Sequence, residues 1–212
     1  MPSPLLSQLS SQVGDRTQEA DLRVAEQCAA DPSLLKEVAA GLTGKDPKLA
    51  GDCGEVFTQV AMRRPDAVAP YAPVLAAQLD SKNAKVRWEA VHALALIAAT
   101  PPAVKTVATL LPTLSQLIHT DKSVIVRDYA TTALATYASN GPKEARAAYP
   151  LLLEALEAWD TKHAARALEG LAYVARHVPK LHPAILPVAI AFADHGKSTI
   201  RKAAKSLLRL LK

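Results

Sequence analysis

Four prolines, Pro73, Pro112, Pro150 and Pro187, stand 39, 38 and 37 residues apart, and this ladder restricts the fold of the chain more than any other feature. Each opens an apolar segment: residues 73–79, 112–117, 150–156 and 187–192. A second apolar segment follows each one. Its matching leucines, Leu94, Leu134, Leu171 and Leu208, step by 40, 37 and 37, with Phe57 a further 37 before Leu94. A period of this length signals stacked supersecondary units, each of which buries its apolar face against its neighbours.

The second segments read as amphipathic helices. Val86, Ala90, Val91, Leu94 and Ile97 recur at spacings of three and four, as one helix face requires. Their equivalents are Val126, Ala130, Leu134 and Tyr137; Ala167, Leu168, Leu171 and Val174; and Ile200, Ala204, Leu207, Leu208 and Leu211. Short polar turns within each pair, at 45–48, 80–83, 121–123, 160–162 and 194–198, suit close antiparallel helices. Between pairs, Pro65, Pro101, Pro142 and Pro179 mark where one helix stops or the next starts. The N-terminal third fits less well: helix 17–30 pairs with 4–12 as a degenerate unit, and helix 34–42 with 49–61. No β-period alternation and no low-complexity linker interrupts the pattern.

Composition agrees. Alanine and leucine dominate and only 8 glycines occur, a balance that favours helices because these side chains lose little freedom there. Half of the residues are hydrophobic, which excludes disorder for the bulk. No run of about 18 uncharged apolar residues is available for a membrane span, and the N-terminal stretch lacks the basic start of a secretory leader. The expectation is a soluble, intracellular, cytoplasmic protein. Cys28 and Cys53 fall within apolar helical pattern and read as small buried hydrophobes. Charge is uneven: residues 1–106 hold 11 Lys+Arg against 12 Asp+Glu, residues 107–212 hold 14 against 8. The excess lies at 180–212, a basic end that attracts acidic partners.

The order of an apolar helix with proline, an Asp-containing turn and a Val-Arg or Ile-Arg entry into a second helix resembles HEAT repeats. The matching residues are Pro73, Asp80, Arg87 and Leu94; Pro112, Asp121, Arg127 and Leu134; Pro187, Asp194, Arg201 and Leu208. The fourth repeat departs, with Ala164 at the arginine position, and the first lacks both proline and arginine. The resemblance implies an all-α, right-handed superhelical α-solenoid of about five to six antiparallel helix pairs in one domain over 1–212. Residues 1–31 would be the degenerate unit, followed by repeats 32–65, 66–100, 101–140, 141–178 and 179–212. It also implies a structural ladder in which Asp80, Asp121 and Asp194 bond with Arg87, Arg127 and Arg201 within and between stacked turns. An arginine near a helix N-terminus is disfavoured by the dipole and calls for a fixed acidic partner. Function does not follow from the fold, since HEAT arrays serve unrelated tasks.

Catalytic motifs are missing. There is no His-Glu-x-x-His, no phosphate-binding Gly-x-x-x-x-Gly-Lys-Ser/Thr, no Gly-x-Gly-x-x-Gly and no Gly-x-Ser-x-Gly. None of the six histidines precedes a glutamate, as the HEAT-repeat di-iron hydroxylases require. His163, His177, His182 and His195 are spaced 14, 5 and 13, so no pair shares a helix face, and they read as solvent or turn histidines. No metal and no cofactor is expected. The HEAT-like alkylpurine DNA glycosylases combine a basic concave surface, aromatic residues and a catalytic aspartate. Asp128 beside Arg127 is the matching carboxylate, but Trp88, Trp159 and a few tyrosines are a thin supply for base stacking. TOG domains place a tryptophan and basic residues on such turns. Here Trp159 falls in a late repeat, and Lys45, Lys48, Lys82, Lys122, Lys162 and Lys197 share no column.

In a helix-pair solenoid the second helices line the inner surface. Its exposed columns carry Trp88, Glu89, His92 and Leu96; Asp128, Tyr129, Thr132 and Thr136; Ala165, Arg166, Glu169 and Tyr173; Lys202, Ala203, Ser206 and Leu210. The mixture of signs suits a protein or peptide better than a phosphate track. The expected function is therefore a non-enzymatic scaffold or adaptor. Trp88, His92, Asp128, Tyr129, Thr132, Arg166, Glu169, Tyr173, Lys202 and Lys205 are its candidate partner-binding residues. The alternative is nucleic-acid binding through the basic C-terminal half, including the glycosylase reading. An acidic membrane surface is the less favoured use of the last helix, which reads as a polar cap. No small-molecule substrate is evident.

Overall fold

The computed structural model describes residues 3–212; the first two residues of the degenerate unit and of the N-terminal stretch lie outside the described residues. The helices are α1 (Ser10–Val13), α2 (Glu19–Ala30), α3 (Leu35–Leu42), α4 (Pro47–Arg63), α5 (Pro65–Val68), α6 (Ala72–Ala76), α7 (Ala84–Ile97), α8 (Pro101–Thr120), α9 (Val124–Ala138), α10 (Pro142–Glu157), α11 (Ala164–His177), α12 (His182–Ala191) and α13 (Ser198–Leu211). There is no strand among the described residues. The chain divides into two compact units, Met1–Thr106 and Val107–Lys212.

The two sets of prolines have different jobs. Pro65, Pro101 and Pro142 start α5, α8 and α10, where a missing N–H costs nothing because the first turn has no intrahelical acceptor for it. The ladder prolines open apolar segments without opening helices. Pro112, Pro150 and Pro187 lie inside α8, α10 and α12. There the ring removes one main-chain bond and crowds the carbonyl four residues back. Before Pro73 the helix gives way to a 3-10 turn, Ala69–Tyr71, and α6 restarts at Ala72.

In the first unit α4 is central, packing against α2, α3 and α7. Val56, Phe57 and Val60 of α4 are fully buried with Val24, Val38, Leu75 and Ile97, and Phe57 meets Tyr71 with ring centroids 5.3 Å apart. Each such side chain contributes about 1.5–3 kcal/mol of transfer free energy. Gly54 sits mid-helix because a Cβ there would lie 2.8 Å from Cβ of Glu89 on α7. Cys28 and Cys53 are buried free thiols, pushed by burial to about 11 and about 12.

A buried carboxylate cluster joins α1, α2, α4 and α7. Lys85 Nζ lies 3.1 Å from Asp52 Oδ1 and 3.2 Å from Glu55 Oε2. Asp52 Oδ2 accepts the Ser11 N–H at 2.8 Å, and Asp21 Oδ1 accepts that of Ser10 at 2.8 Å. Glu89 accepts from Thr58 Oγ1 and from Trp88 Nε1, each at 2.7 Å. Burial raises the carboxyl pKa values of Asp21, Glu55 and Glu89. Burial alone would lower Lys85, but its bond to Asp52 and the field of Glu55 outweigh that and raise it.

In the second unit α11 packs against α9, α10 and α13, and α12 packs on α13. Gly170 permits this approach: a Cβ there would stand 2.7 Å from Leu152 Cδ2 and 3.1 Å from Ala135 Cα. The leucine ladder is buried at Leu94, Leu134 and Leu171 but ends half-buried at Leu208, where Leu207 takes the inward position instead.

The arginines at the starts of the second helices make one recurring bond. Arg87 Nη1 donates to Ser81 O at 2.6 Å, Arg127 Nη1 to Asp121 O at 2.6 Å and Arg201 Nη1 to His195 O at 2.8 Å. Within a turn the acceptor is thus a main-chain carbonyl six residues back, not the aspartate side chain that the HEAT resemblance implied. Asp121 Oδ1 instead accepts the Ser123 N–H at 2.7 Å; Asp80 is exposed; Asp194, also exposed, lies 4.0 Å from Lys205. The physical reason is supply: these carbonyls lie in the turn between the two helices, outside either helical ladder, and a guanidinium presents several donors.

Where Ala164 replaces the arginine, the turn is built differently. Trp159, Asp160 and Thr161 take consecutive left-handed conformations, with φ of 51°, 53° and 62°, a geometry costing about 1–2 kcal/mol per non-glycine residue. Two contacts of Trp159 oppose that cost. Its Nε1–H donates to Ile118 O at 2.9 Å, and the Arg127 guanidinium lies 3.9 Å from its ring centroid.

Candidate functional site

The inner faces of α9, α11 and α13 enclose an open groove of about 710 Å³ in the second unit. Of the candidate residues, Asp128, Thr132, Arg166, Glu169, Tyr173 and Lys202 line it. Tyr129 lines an adjoining pocket of about 290 Å³ with Val124 and Ile125, and the two cavities share Asp128, Lys162 and His163. Lys205 is not in the groove; it lies with Leu208, Arg209 and Lys212 at the end of α13.

Trp88 and His92 belong to the first unit and are half-buried. Trp88 is tied by its indole N–H to Glu89, which is buried rather than part of an exposed column. Burial holds His92 down at about 4, so it is neutral at physiological pH.

The electrostatic centre of the groove is Asp128. His163 Nδ1 lies 3.3 Å from its Oδ1, and Arg166 Nε 3.6 Å from its Oδ2. Arg127 Nε–H donates to His163 Nε2 at 3.4 Å. That bond places the imidazole proton on Nδ1, facing the carboxylate, without requiring a positive ring. The bond from His163, with the field of Arg166, lowers the pKa of Asp128 against its burial, so the carboxylate is ionised and doubly engaged. Arg166 also reaches Glu169 at 3.3 Å. The groove's aromatic surface is likewise engaged, with Arg176 lying 5.7 Å from the centroid of Tyr173.

Four polar residues of the groove lie outside both the candidate set and the inner columns. Instead of the expected solvent or turn position, His163 is 3% exposed and holds Asp128. Lys162 stands in the turn before α11, Arg176 near the end of α11 and Thr199 in the first turn of α13. All four lie before the arginine position or near a helix end, outside the inner columns. A helical step of three or four from Tyr173 would have reached Arg176.

Other histidines bond main-chain groups: His177 Nε2 to Ser139 O at 3.0 Å, and His182 Nε2 to Ala175 O at 2.9 Å. No group of three or more His, Cys, Asp or Glu side chains is arranged to hold a metal ion among the described residues. Within the same residues no helix is long and apolar enough to cross a membrane.

The sequence matches no known protein-family profile and no curated protein. Solved structures do match it. An engineered protein superimposes with a TM-score of 0.74 at 22% identity, covering 98% of this chain and 94% of its own. A designed armadillo repeat protein in complex with the peptide (KR)4 gives 0.74 at 20%, covering 98% of each chain. Computationally designed armadillo repeat proteins for modular peptide recognition give 0.73 at 20%, again over 98% of each. At such identities the likeness establishes the fold: an all-α repeat solenoid.

Proposed function

We propose that this chain is a non-enzymatic, HEAT-type scaffold whose second unit grips an extended segment of a protein partner in the groove between α9, α11 and α13. The observation that carries the reading is the groove itself: consecutive second helices turn Asp128, Thr132, Arg166, Glu169, Tyr173 and Lys202 into one concavity of about 710 Å³. Such a shape accepts an extended backbone, and the hydroxyls of Thr132, Thr136 and Ser206 offer it hydrogen bonds. Designed proteins of the same fold include members made for peptide recognition. The HEAT reading is supported by the recurring arginine bond of Arg87, Arg127 and Arg201. The lack of an enzymatic role is supported by Asp128, whose two oxygens are already held by His163 and Arg166. Trp88, His92 and Lys205 have no part in this groove.

The test is selection of a random peptide library on the full chain, with counter-selection on Ala172→Trp, which fills the groove floor from α11. Peptides that bind the parent chain and lose binding to the variant, measured calorimetrically, are the expected result. Recovery of none that depends on Ala172, from a variant with unchanged circular dichroism, would sink the proposal.

A further inference from the structure

Three cations in the groove have no carboxylate within ion-pair distance among the described residues: Lys162, Arg176 and Lys202. All three are exposed. The acids of the groove do not balance them, because Asp128 is engaged by His163 and Arg166, and Glu169 by Arg166. The concavity therefore presents net positive charge with its own carboxylates already spent, and concave walls concentrate that field on an incoming ligand. Lys162 stands in the turn before α11 and Arg176 in its last turn, and at 1.5 Å per residue the helix from Ala164 to Arg176 rises about 18 Å, a span that about five residues of extended peptide cover.

Beside the cations is an apolar seat. Val124 and Ile125, in the first turn of α9, are 37% and 41% exposed, and with Tyr129 they wall the adjoining pocket of about 290 Å³. Lys162 stands between this pocket and the groove and lines both. Two β-branched side chains left in water next to a free ammonium fit a ligand that brings an aliphatic group and a carboxylate close together.

Resting on the reading of the groove as a peptide site, we infer that its occupant is an acidic segment with an aliphatic anchor. Asp or Glu side chains of the partner lie on Lys162, Arg176 and Lys202, and a Leu, Ile or Val side chain enters the Val124–Ile125–Tyr129 pocket. A nucleic acid fits less well. The Tyr173 ring is faced by Arg176, the Trp159 ring by Arg127, and Asp128 and Glu169 would oppose a phosphate run. The basic (KR)4 peptide held by a designed armadillo protein is the opposite of what this groove suits.

The experiment is a fluorescence anisotropy titration of the full chain with four labelled probes: an acidic peptide of about ten residues with one terminal leucine, the same peptide with lysine for each acid, the same with serine for leucine, and a single-stranded DNA of about ten nucleotides. The acidic leucine peptide should bind at least about tenfold more tightly than the lysine peptide, and weaken as salt rises. Lys162→Glu with Lys202→Glu should cost it about tenfold or more and improve the lysine peptide, a sign inversion that a merely damaged fold would not give. Ile125→Ser should abolish the difference between the leucine and serine peptides. Equal binding of acidic and basic peptides overturns the inference, as does tighter binding of the DNA strand that is lost in the same lysine variants. If library peptides depend on Ala172 yet show no enrichment in Asp and Glu, the acidic assignment fails while the peptide groove stands. If none depends on Ala172, it is the groove reading itself that fails.

Discussion

Replacing Lys85 by methionine removes the positive charge that sits between Asp52 and Glu55 while keeping a stem of similar length. Lys85 is 26% exposed at its side chain and both carboxylates are 8% exposed, so the pair is screened little by water. At an effective dielectric of about 20, two contacts near 3.1–3.2 Å are worth about 5 kcal/mol each in gross attraction. Desolvation of the ammonium offsets much of this, and losing one member of a buried pair typically costs about 3–5 kcal/mol. We expect about 3 kcal/mol at pH 8, the lower end, because the ammonium keeps some contact with water.

The loss must depend on pH, and its sign follows from burial. Asp21, Glu55 and Glu89 have folded pKa values raised above the ordinary 3.8 or 4.5. The folded chain therefore holds protons that the unfolded chain has released. Stability from these groups is full below the ordinary values and is lost as pH rises through the raised ones. Without Lys85 the carboxyls are raised further, so the variant should lose stability more steeply with rising pH. Urea unfolding of both proteins at pH 4.5 and pH 8 measures this, with the deficit shrinking to about 1 kcal/mol at the lower pH. Adding Glu55→Gln to Lys85→Met should return part of the loss at pH 8. A deficit under about 1 kcal/mol at pH 8, or one equal at both values, would refute the account of the cluster.

Leu94→Ala, at a position 1% exposed, should cost about 2–5 kcal/mol in the same assay. Gly170→Ala should destabilise by about 1–3 kcal/mol despite alanine's better helix propensity, because its Cβ would press on Leu152 and the Ala135 backbone; a neutral or stabilising result means that α9 and α11 are less close than described. Asp160→Gly should raise the melting temperature, since glycine relieves about 1 kcal/mol of left-handed strain at the middle of three such residues. Trp159→Leu should lower it by removing the bond to Ile118 O and the ring under Arg127.

Helix faces were legible because burial repeats: Val86, Ala90, Leu94 and Ile97 are all buried, as are Val126, Ala130, Leu134 and Tyr137. The ladder prolines mark the period but not the helix boundaries, because a proline can stand at a helix start or inside a helix. Pro112 ends nothing within α8; it follows eleven helical residues and precedes eight more. The arginine column was visible, but its acceptors were not, since a main-chain carbonyl leaves no trace in a sequence. Likewise Glu89 sits on an exposed column by count yet is buried, because Thr58 of α4 supplies the bond that lets a carboxyl leave water.

The candidate site lies where the repeat breaks its own rule. At Ala164 there is no guanidinium to bond a turn carbonyl, and the turn before it is held instead by Trp159, which also receives Arg127 on its ring. Arg127 is thereby fixed with its Nε–H on His163, and His163 is fixed with its Nδ1 on Asp128. A substitution that reads as a lost structural residue thus has a consequence one repeat earlier: it orients the carboxylate at the groove's centre and satisfies it internally. Lys162, in the same irregular turn, is left facing the groove with no acid of its own. The same turn carries both the strain at 159–161 and one of the groove's three uncompensated cations, Lys162. A chain with a regular turn and arginine at 164 should therefore lose the left-handed strain, read as a higher melting temperature, while Arg176 and Lys202 keep the groove's positive charge.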